Sequence, residues 1–100
     1  MDTYKIKRVT IVTERLLRDR LLTMIKKAGA TGYTVTDVRG EGTGGSHATD
    51  FEGSHVKIET LVRPPVADQI LQTLADDYFD RWAVIAYVVD VDVVRGSKYG

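Results

Sequence analysis

The strongest constraint on the fold is the order in which two apolar periodicities follow one another along the chain. Residues 4–12, YKIKRVTIV, are rich in β-branched residues and predict a strand with Val9 and Ile11 on one face. Thr13 stands where a helix N-cap is expected, and Gly29 where a helix should end. Between them lies one apolar stripe at helical spacing: Leu17, Leu21, Met24, Ile25 and Ala28.

The second half of the chain repeats this order. The segments YTVTDVR, residues 33–39, and HVKIETLV, residues 55–62, predict two strands from their Thr, Val and Ile content. Pro64 and Pro65 place a proline in the first turn of a second helix, where a missing N–H costs nothing. Residues 82–94, WAVIAYVVDVDVV, predict a last strand that begins as a continuous apolar run. The stripe of the second helix is Ala67, Ile70, Leu71, Leu74 and Tyr78.

The order β-α-β-β-α-β predicts an α+β fold of the ferredoxin-like kind, a sandwich of two layers. Two helices cover one face of a four-stranded antiparallel sheet, and the other face is left open. Since the last strand is apolar on both sides, we expect the open face to pack against copies of the same chain.

Size and charge narrow the class of protein. One hundred residues predict a single domain, residues 1–100. Fourteen basic and fourteen acidic side chains cancel, so we expect no nucleic acid as a partner. Glu14 and Arg18 are spaced as a pair on the solvated face of the first helix. The absence of cysteine and the charged N-terminal segment favour a cytoplasmic protein.

A glycine-rich stretch, GEGTGGSHATDFEGSH, residues 40–55, separates the second and third strands. A hairpin needs only two to five residues to turn, so the additional length requires a reason. Glycines of this kind let backbone N–H groups approach an anion. The stretch is neither a dinucleotide fingerprint nor a P-loop, because no helix begins at the glycines and no Gly-Lys-Ser or Gly-Lys-Thr occurs.

Two other groups of residues could carry chemistry. Asp90 and Asp92 share one side of the last strand and could serve a small hydrolase, but no nucleophile or base accompanies them, so we assign no catalytic residue. A second possibility is a divalent-metal site, as in a metal-binding trimer. Its residues are more widely spaced than in most metal sites and are typical of solvated side chains, so we assign no metal ligand. Its residues would be His47, Asp50, Glu52 and His55.

Several motifs resemble the PII signalling proteins, and specifically the PII-like branch that includes the bicarbonate-transporter regulator SbtB. GATGYTVTDVRGEG, residues 29–42, is similar to the family's segment leading into the root of its mobile T-loop, here residues 41–54. HVKIETLV resembles the strand after that loop, and DDYFDRWAVIAYVVD and VDVVRGSKY resemble the last helix and strand. The resemblance covers almost the whole chain.

The resemblance implies a homotrimer with adenine nucleotides in the clefts between neighbours and no further cofactor. Arg95 and Lys98 would face the phosphate, with Arg39 as a further cation. Thr31 would approach the adenine from a neighbouring subunit, and Leu61 would line the base pocket. The remaining implied contacts are backbone ones, at Gly40, Glu41, Gly42, Ala86 and Tyr87.

Two departures from the family pattern bear on the ligand. The glycine- and lysine-bearing phosphate loop before the last strand is replaced by a short gap at Phe79, Asp80 and Arg81. The T-loop also lacks the arginines that bind phosphate in the SbtB-like branch. AMP, cyclic AMP and ADP are therefore favoured over ATP.

The implied function is regulation rather than catalysis. The T-loop would dock on a membrane bicarbonate transporter in one nucleotide state and leave it in another, as part of inorganic-carbon sensing. The protein would then be cytoplasmic and reversibly peripheral to the inner membrane. The alternative within the family is a carboxysome-associated sensor of ADP, AMP and bicarbonate.

Overall fold

The computed structural model describes residues 2–40 and 54–94 of the chain. They form four strands, β1 (Tyr4–Glu14), β2 (Thr34–Val38), β3 (His55–Val62) and β4 (Ile85–Val93), and two helices, α1 (Arg18–Ala28) and α2 (Pro64–Asp77). A short 3-10 turn, Arg15–Leu17, joins β1 to α1. The predicted order of strands and helices is confirmed.

The sheet is antiparallel, with the order β2-β3-β1-β4. β1 is a central strand because it pairs with both β3 and β4, bringing Thr10 opposite Glu59 on one side and Tyr87 on the other. β2 and β4 are therefore the edges of this sheet. Within the described part of the chain, each edge leaves half of its backbone N–H and C=O groups without a neighbouring strand.

The core lies between the helices and one face of the sheet. Alternate residues of β1 and β3 point into it, and so do the predicted stripes of the two helices. Burial of each large aliphatic side chain of this kind contributes about 1.5–3 kcal/mol. The fully buried members are Val9, Ile11, Leu17, Leu21, Ile25, Val56, Ile58, Ile70 and Leu74.

Gly29 ends α1 as predicted, with a φ of 121° that L side chains rarely adopt. The next residue, Ala30, donates its N–H to the carbonyl of Ile25 at 2.9 Å and so satisfies the end of the helix. A Cβ at position 29 would lie 3.1 Å from Cγ2 of Val66 on α2. Only glycine therefore fits both the backbone and the packing here.

Gly29→Ala is expected to destabilise the fold by about 1–2 kcal/mol, because an L residue is strained at this φ and meets Val66. Thermal unfolding should show a midpoint lowered by roughly 5–15 °C for a domain of this size. Gly32→Ala is the matched control, since position 32 has no positive φ and no atom within 4 Å of an added Cβ. Equal midpoints for the two variants would contradict the prediction.

Two local predictions at the end of β1 were wrong. Thr13 is not an N-cap: it is a fully buried strand residue that donates its hydroxyl to the carbonyl of Ala83 at 3.2 Å. Glu14 does not lie on the surface of α1, because pairing with β3 extends β1 to the Glu14–His55 position and buries Glu14 to 2% exposure. Arg18 lies beside Asp19 instead, with Nε 3.1 Å from Oδ1.

The last strand is shorter than residues 82–94. β4 begins at Ile85, and Trp82 and Val84 precede it in a turn that packs against the core. Within the protomer only one face of β4 is covered, because Ala86 and Val88 contact the core while Ile85, Tyr87 and Val89 on the other face are exposed. Among the residues described, no helix is both long and apolar enough to cross a membrane.

Candidate functional site

The face of the sheet away from the helices carries most of the features that could bind a partner or ligand. We call it the open face. The residues that point to it are fixed by the alternation of each strand and by the register. They are Thr34, Thr36 and Val38 of β2, His55, Lys57, Glu59 and Leu61 of β3, Ile6, Arg8, Thr10, Val12 and Glu14 of β1, and Ile85, Tyr87, Val89, Val91 and Val93 of β4.

A pocket of about 530 Å³ lies at the end of the sheet where β2 begins and β3 ends. We call it the open-face pocket. This volume is within the range of small-ligand sites. Two residues of the predicted nucleotide site, Thr31 and Leu61, line it together. The remaining lining residues are Arg8, Gly32, Tyr33, Thr34, Glu59, Thr60, Val91 and Val93.

Local contacts hold the loop before β2 against this pocket. Thr60 donates its hydroxyl to the carbonyl of Gly32 at 2.6 Å, which ties the loop to β3. Lys26 of α1 lies over the ring of Tyr33, 5.3 Å from its centroid. Thr31 is thereby placed beside Leu61, although the two residues are thirty positions apart in the chain.

Arg39 and Gly40 lie at the opposite end of β2 from the open-face pocket. The five residue steps from Thr34 to Arg39 span roughly 17 Å of extended chain. Ala86 and Tyr87 lie toward the same distant end, since their partners on β1 are Ile11 and Thr10. One protomer therefore presents the predicted site as two separated halves.

Four predicted residues lie outside the described residues: Glu41, Gly42, Arg95 and Lys98. The ligand contacts assigned to these four residues remain predictions. The T-loop at residues 41–54 also remains a prediction, since Ser54 is its only described residue. Ser54 accepts a hydrogen bond at its carbonyl from the N–H of Arg15 at 2.9 Å. The chain leaving this segment is thus anchored next to the end of β1.

The open face also holds polar atoms that are shielded from solvent without a hydrogen-bond partner in the described part of the chain. They are Arg8 Nε, Thr10 Oγ1, Glu14 Oε2 and His55 Nδ1. Leaving a buried donor or acceptor unpaired costs about 1–3 kcal/mol. Such atoms are exceptions in folded proteins, and these four lie on the same face as the exposed apolar side chains of β4.

Asp90 and Asp92 form ion pairs with β1 rather than a catalytic pair. Asp90 pairs with Lys7, and Asp92 lies 3.5 Å from Nζ of Lys5. The Lys7 ammonium, hydrogen-bonded to Asp90, holds the pKa of that carboxyl below its ordinary value of 3.8. A general acid at neutral pH needs the opposite shift, so this geometry does not favour the hydrolase alternative.

The metal-site alternative can be compared with the structure at only one of its four residues, His55. His55 is the first residue of β3, while His47, Asp50 and Glu52 lie outside the described residues. Across residues 2–40 and 54–94, no three side chains of metal-ligating type come together. His55 instead faces Glu14 across the β1–β3 pair.

The connection from α2 to β4 is a tight turn. The N–H groups of Phe79, Arg81 and Trp82 donate within the turn, to the carbonyls of Leu74 and Tyr78, at 2.9–3.0 Å. Those three donors are therefore occupied and cannot cradle a phosphate chain. This finding agrees with the predicted absence of a phosphate-binding loop at this point.

The fold and the pocket together define a class of protein: a ferredoxin-like domain whose helices cover one face of the sheet and whose open face carries a pocket at one end. The model of the family Nitrogen regulatory protein P-II matches residues 6–98. The chain belongs to this family. Trimeric assembly is typical of its members.

Solved structures of PII-like proteins share the fold. A PII-like signalling protein of Thermus thermophilus is 51% identical, with 100% of each chain covered and a TM-score of 0.86. CPII of Thiomonas intermedia, bound to ADP, AMP and acetate, is 22% identical over 99% of this chain and 98% of CPII, with a TM-score of 0.84. CPII has also been solved with ADP and bicarbonate, at the same identity, coverage and TM-score.

The prediction from sequence omitted several pocket residues, among them Arg8, Thr34 and Glu59. Alternation along β3 could have indicated Glu59, since it shares a face with Leu61 two positions away. Arg8 and Val91 could not have been placed there without the strand pairing, because they lie far from Thr31 in the chain.

Proposed function

We propose that this chain is a trimeric adenine-nucleotide sensor that regulates a membrane bicarbonate transporter through its T-loop. The divided site is the single observation that carries the proposal. The open-face pocket contains Thr31 and Leu61, while Arg39 and Gly40 lie roughly 17 Å away along β2. A nucleotide could reach both halves only if a neighbouring copy supplies one of them.

The open face supports assembly of three copies. Its edge strand exposes Ile85 at 56%, Tyr87 at 45% and Val89 at 37%. Apolar side chains gathered on one face are typical of an interaction surface. Three copies related by rotation would cover this face and form three equivalent clefts.

The proposed contacts follow the two halves of the site. The purine base would lie in the open-face pocket against Leu61, with Thr31 beside it. Backbone groups of Gly40, Glu41 and Gly42, and of Ala86 and Tyr87 on the exposed edge of β4, would contact the rest of the ligand from the neighbouring copy. Arg95 and Lys98 would hold the phosphate, with Arg39 nearby. AMP, cyclic AMP and ADP are favoured over ATP because the turn after α2 offers no phosphate loop.

Signalling would follow from a difference in loop affinity between nucleotide states. A ligand shifts the population of T-loop states only by the difference between its binding free energies for those states. A tenfold change in docking on the transporter needs a difference of about 1.4 kcal/mol. Two or three charge-assisted hydrogen bonds can supply that difference. The protein would act in the cytoplasm and reach the inner membrane only through its partner, with no catalytic step of its own.

A second candidate within the same family is a carboxysome-associated sensor of ADP, AMP and bicarbonate. The observation that favours it is that CPII, which shares the fold, has been solved with ADP, AMP and bicarbonate. Both candidates need the same inter-subunit site and differ in the partner. Cosedimentation with membranes that contain the host's bicarbonate transporter, measured in AMP and in ADP, would separate them.

Calorimetric titration of the full chain with AMP, cyclic AMP, ADP and ATP, beside a mass measurement, tests the nucleotide proposal. We expect a trimer that binds one ligand per chain in the micromolar range, corresponding to about −8 kcal/mol. Repeating the titration in bicarbonate tests whether that anion alters the affinity. A monomer that binds none of the four nucleotides would contradict the proposal.

A further inference from the structure

Arg8 is the cation of the open-face pocket. It extends from the central strand β1, directly between Leu61 of β3 and Val89 of β4 in the register. The pocket wall combines the aliphatic side chains of Leu61, Val91 and Val93 with polar groups, among them the hydroxyl of Thr31 and the carboxylate of Glu59. A guanidinium placed among such groups is a strong and directional donor.

Among the described residues, the other cations of the sheet have carboxylate partners and Arg8 has none. Lys5 and Lys7 pair with Asp92 and Asp90, and Lys57 Nζ lies 3.3 Å from Oε1 of Glu59. Within the described residues no carboxylate lies within ion-pair distance of Arg8, and its Nε is shielded from solvent without an acceptor. An occupant of the pocket cannot reach the shielded Nε, but a guanidinium without a described carboxylate partner favours an occupant that accepts a hydrogen bond from its terminal N–H groups.

The chemistry of the pocket favours a purine ring as that occupant. A flat heterocycle can pack on Leu61, Val91 and Val93 while its ring nitrogens accept hydrogen bonds. The second carboxylate oxygen of Glu59, Oε2, can accept from an exocyclic amino group. A phosphate could also pair with Arg8, but it would leave Leu61, Val91 and Val93 uncovered and would lie near the like-charged carboxylate of Glu59.

We propose that Arg8 donates a hydrogen bond to a ring nitrogen of the purine held in the open-face pocket, and thereby determines which base is bound. The inference rests on the nucleotide-binding function proposed above and adds to it a specificity-determining residue. Arg8 would reach the base from β1, the central strand of the sheet. Its contact is therefore separate from those that the proposal assigns to the phosphate.

A thermodynamic cycle, in which variants of Arg8 are combined with altered ligands, tests the hydrogen bond between Arg8 and the purine. AMP and its 1-deaza, 3-deaza and 7-deaza analogues, each with one ring nitrogen replaced by CH, are titrated into the wild type, Arg8→Met and Arg8→Lys. We expect Arg8→Met to weaken AMP binding by about 10- to 100-fold, the range for a hydrogen bond to a charged donor. With the analogue that lacks the contacted nitrogen, the wild type should already bind weakly and Arg8→Met should add less than about twofold.

Arg8→Lys is expected to be intermediate, because the ammonium keeps the charge but loses the planar fork. Arg18→Met is the matched control: Arg18 begins α1, on the helix side of the sheet, and its Nε lies beside Asp19. It should bind all four ligands as the wild type does. Mass and thermal unfolding of each variant establish that the trimer is intact.

Three results would overturn the inference. Arg8→Met could bind AMP as the wild type does, or it could lose the same factor for all four ligands, which would show a general electrostatic role. It could also yield only monomers, which would make Arg8 an interface residue. In each of these cases the wild type still binds nucleotide, so the proposed function survives. A wild type that binds no nucleotide would overturn both proposals.

Discussion

Ile85→Asp is expected to produce a monomer that binds adenine nucleotides more weakly by about 100-fold or more. Ile85 is 56% exposed in the protomer and begins the edge strand on the open face. The aspartate therefore remains solvated in a single chain and should not prevent folding. In a trimer the same carboxylate would be buried three times by symmetry, at a cost of several kcal/mol for each ion.

Light scattering or sedimentation would measure the mass of Ile85→Asp, and calorimetry its affinity for AMP. The matched control is Leu16→Asp, because Leu16 is 54% exposed and lies in the 3-10 turn before α1, not on a strand of the open face. The control should remain trimeric and bind normally. An Ile85→Asp protein that stays trimeric with unchanged affinity would remove the open face from the interface.

Lys98→Ala is expected to weaken AMP binding by about 10- to 100-fold, because an ammonium that holds phosphate contributes about 1.5–3 kcal/mol. The reason comes from the resemblance to PII-like proteins, since Lys98 lies outside the described residues. Calorimetry with AMP and with adenosine isolates the phosphate contact. The variant should lose affinity for AMP and bind adenosine as the wild type does.

Lys27→Ala is the control for a general loss of positive charge, because Lys27 lies in the last turn of α1 and is exposed. It should change neither titration. If Lys98→Ala bound AMP with unaltered affinity, Lys98 would be removed from the site. Equal losses for AMP and adenosine would indicate that Lys98 acts on the base or on the assembly instead of the phosphate.

Much of the fold was predictable because its signals are local. The helix stripes depend on a period that repeats every few residues, and Gly29 and Pro64 limit the helices through backbone geometry that the neighbouring residues do not alter. The limits of β3 agree with the prediction: polar and apolar residues alternate from His55 to Glu59, and burial alternates strictly from His55 to Val62.

The errors occurred where a local signal competed with a tertiary one. Threonine suits both an N-cap and a strand, and at Thr13 the pairing with β3 decided the outcome by burying the hydroxyl against the carbonyl of Ala83. Glu14 followed it into the strand and became buried. Its spacing from Arg18 was helical in the sequence, but the two residues are in different elements.

The candidate site was predictable only in part. Thr31 and Leu61 were identified through the resemblance to the PII family and are found together in the open-face pocket. Arg8 was not identified, because Lys5 and Lys7 precede it closely in the sequence and no local pattern distinguishes the three cations. The structure distinguishes them: both lysines have carboxylate partners and Arg8 faces the pocket.

The sequence by itself determined the number, kind and order of the strands and helices, because periodicity, glycine and proline act within a few residues. Tertiary structure alone decided the strand order β2-β3-β1-β4, and with it which distant residues became neighbours. It brought Val91 and Val93 into the same pocket as Arg8 and placed Arg39 at the far end of β2 from Thr31. The physical reason is that strand pairing depends on hydrogen bonds and side-chain packing between segments far apart in the chain, which no local pattern records.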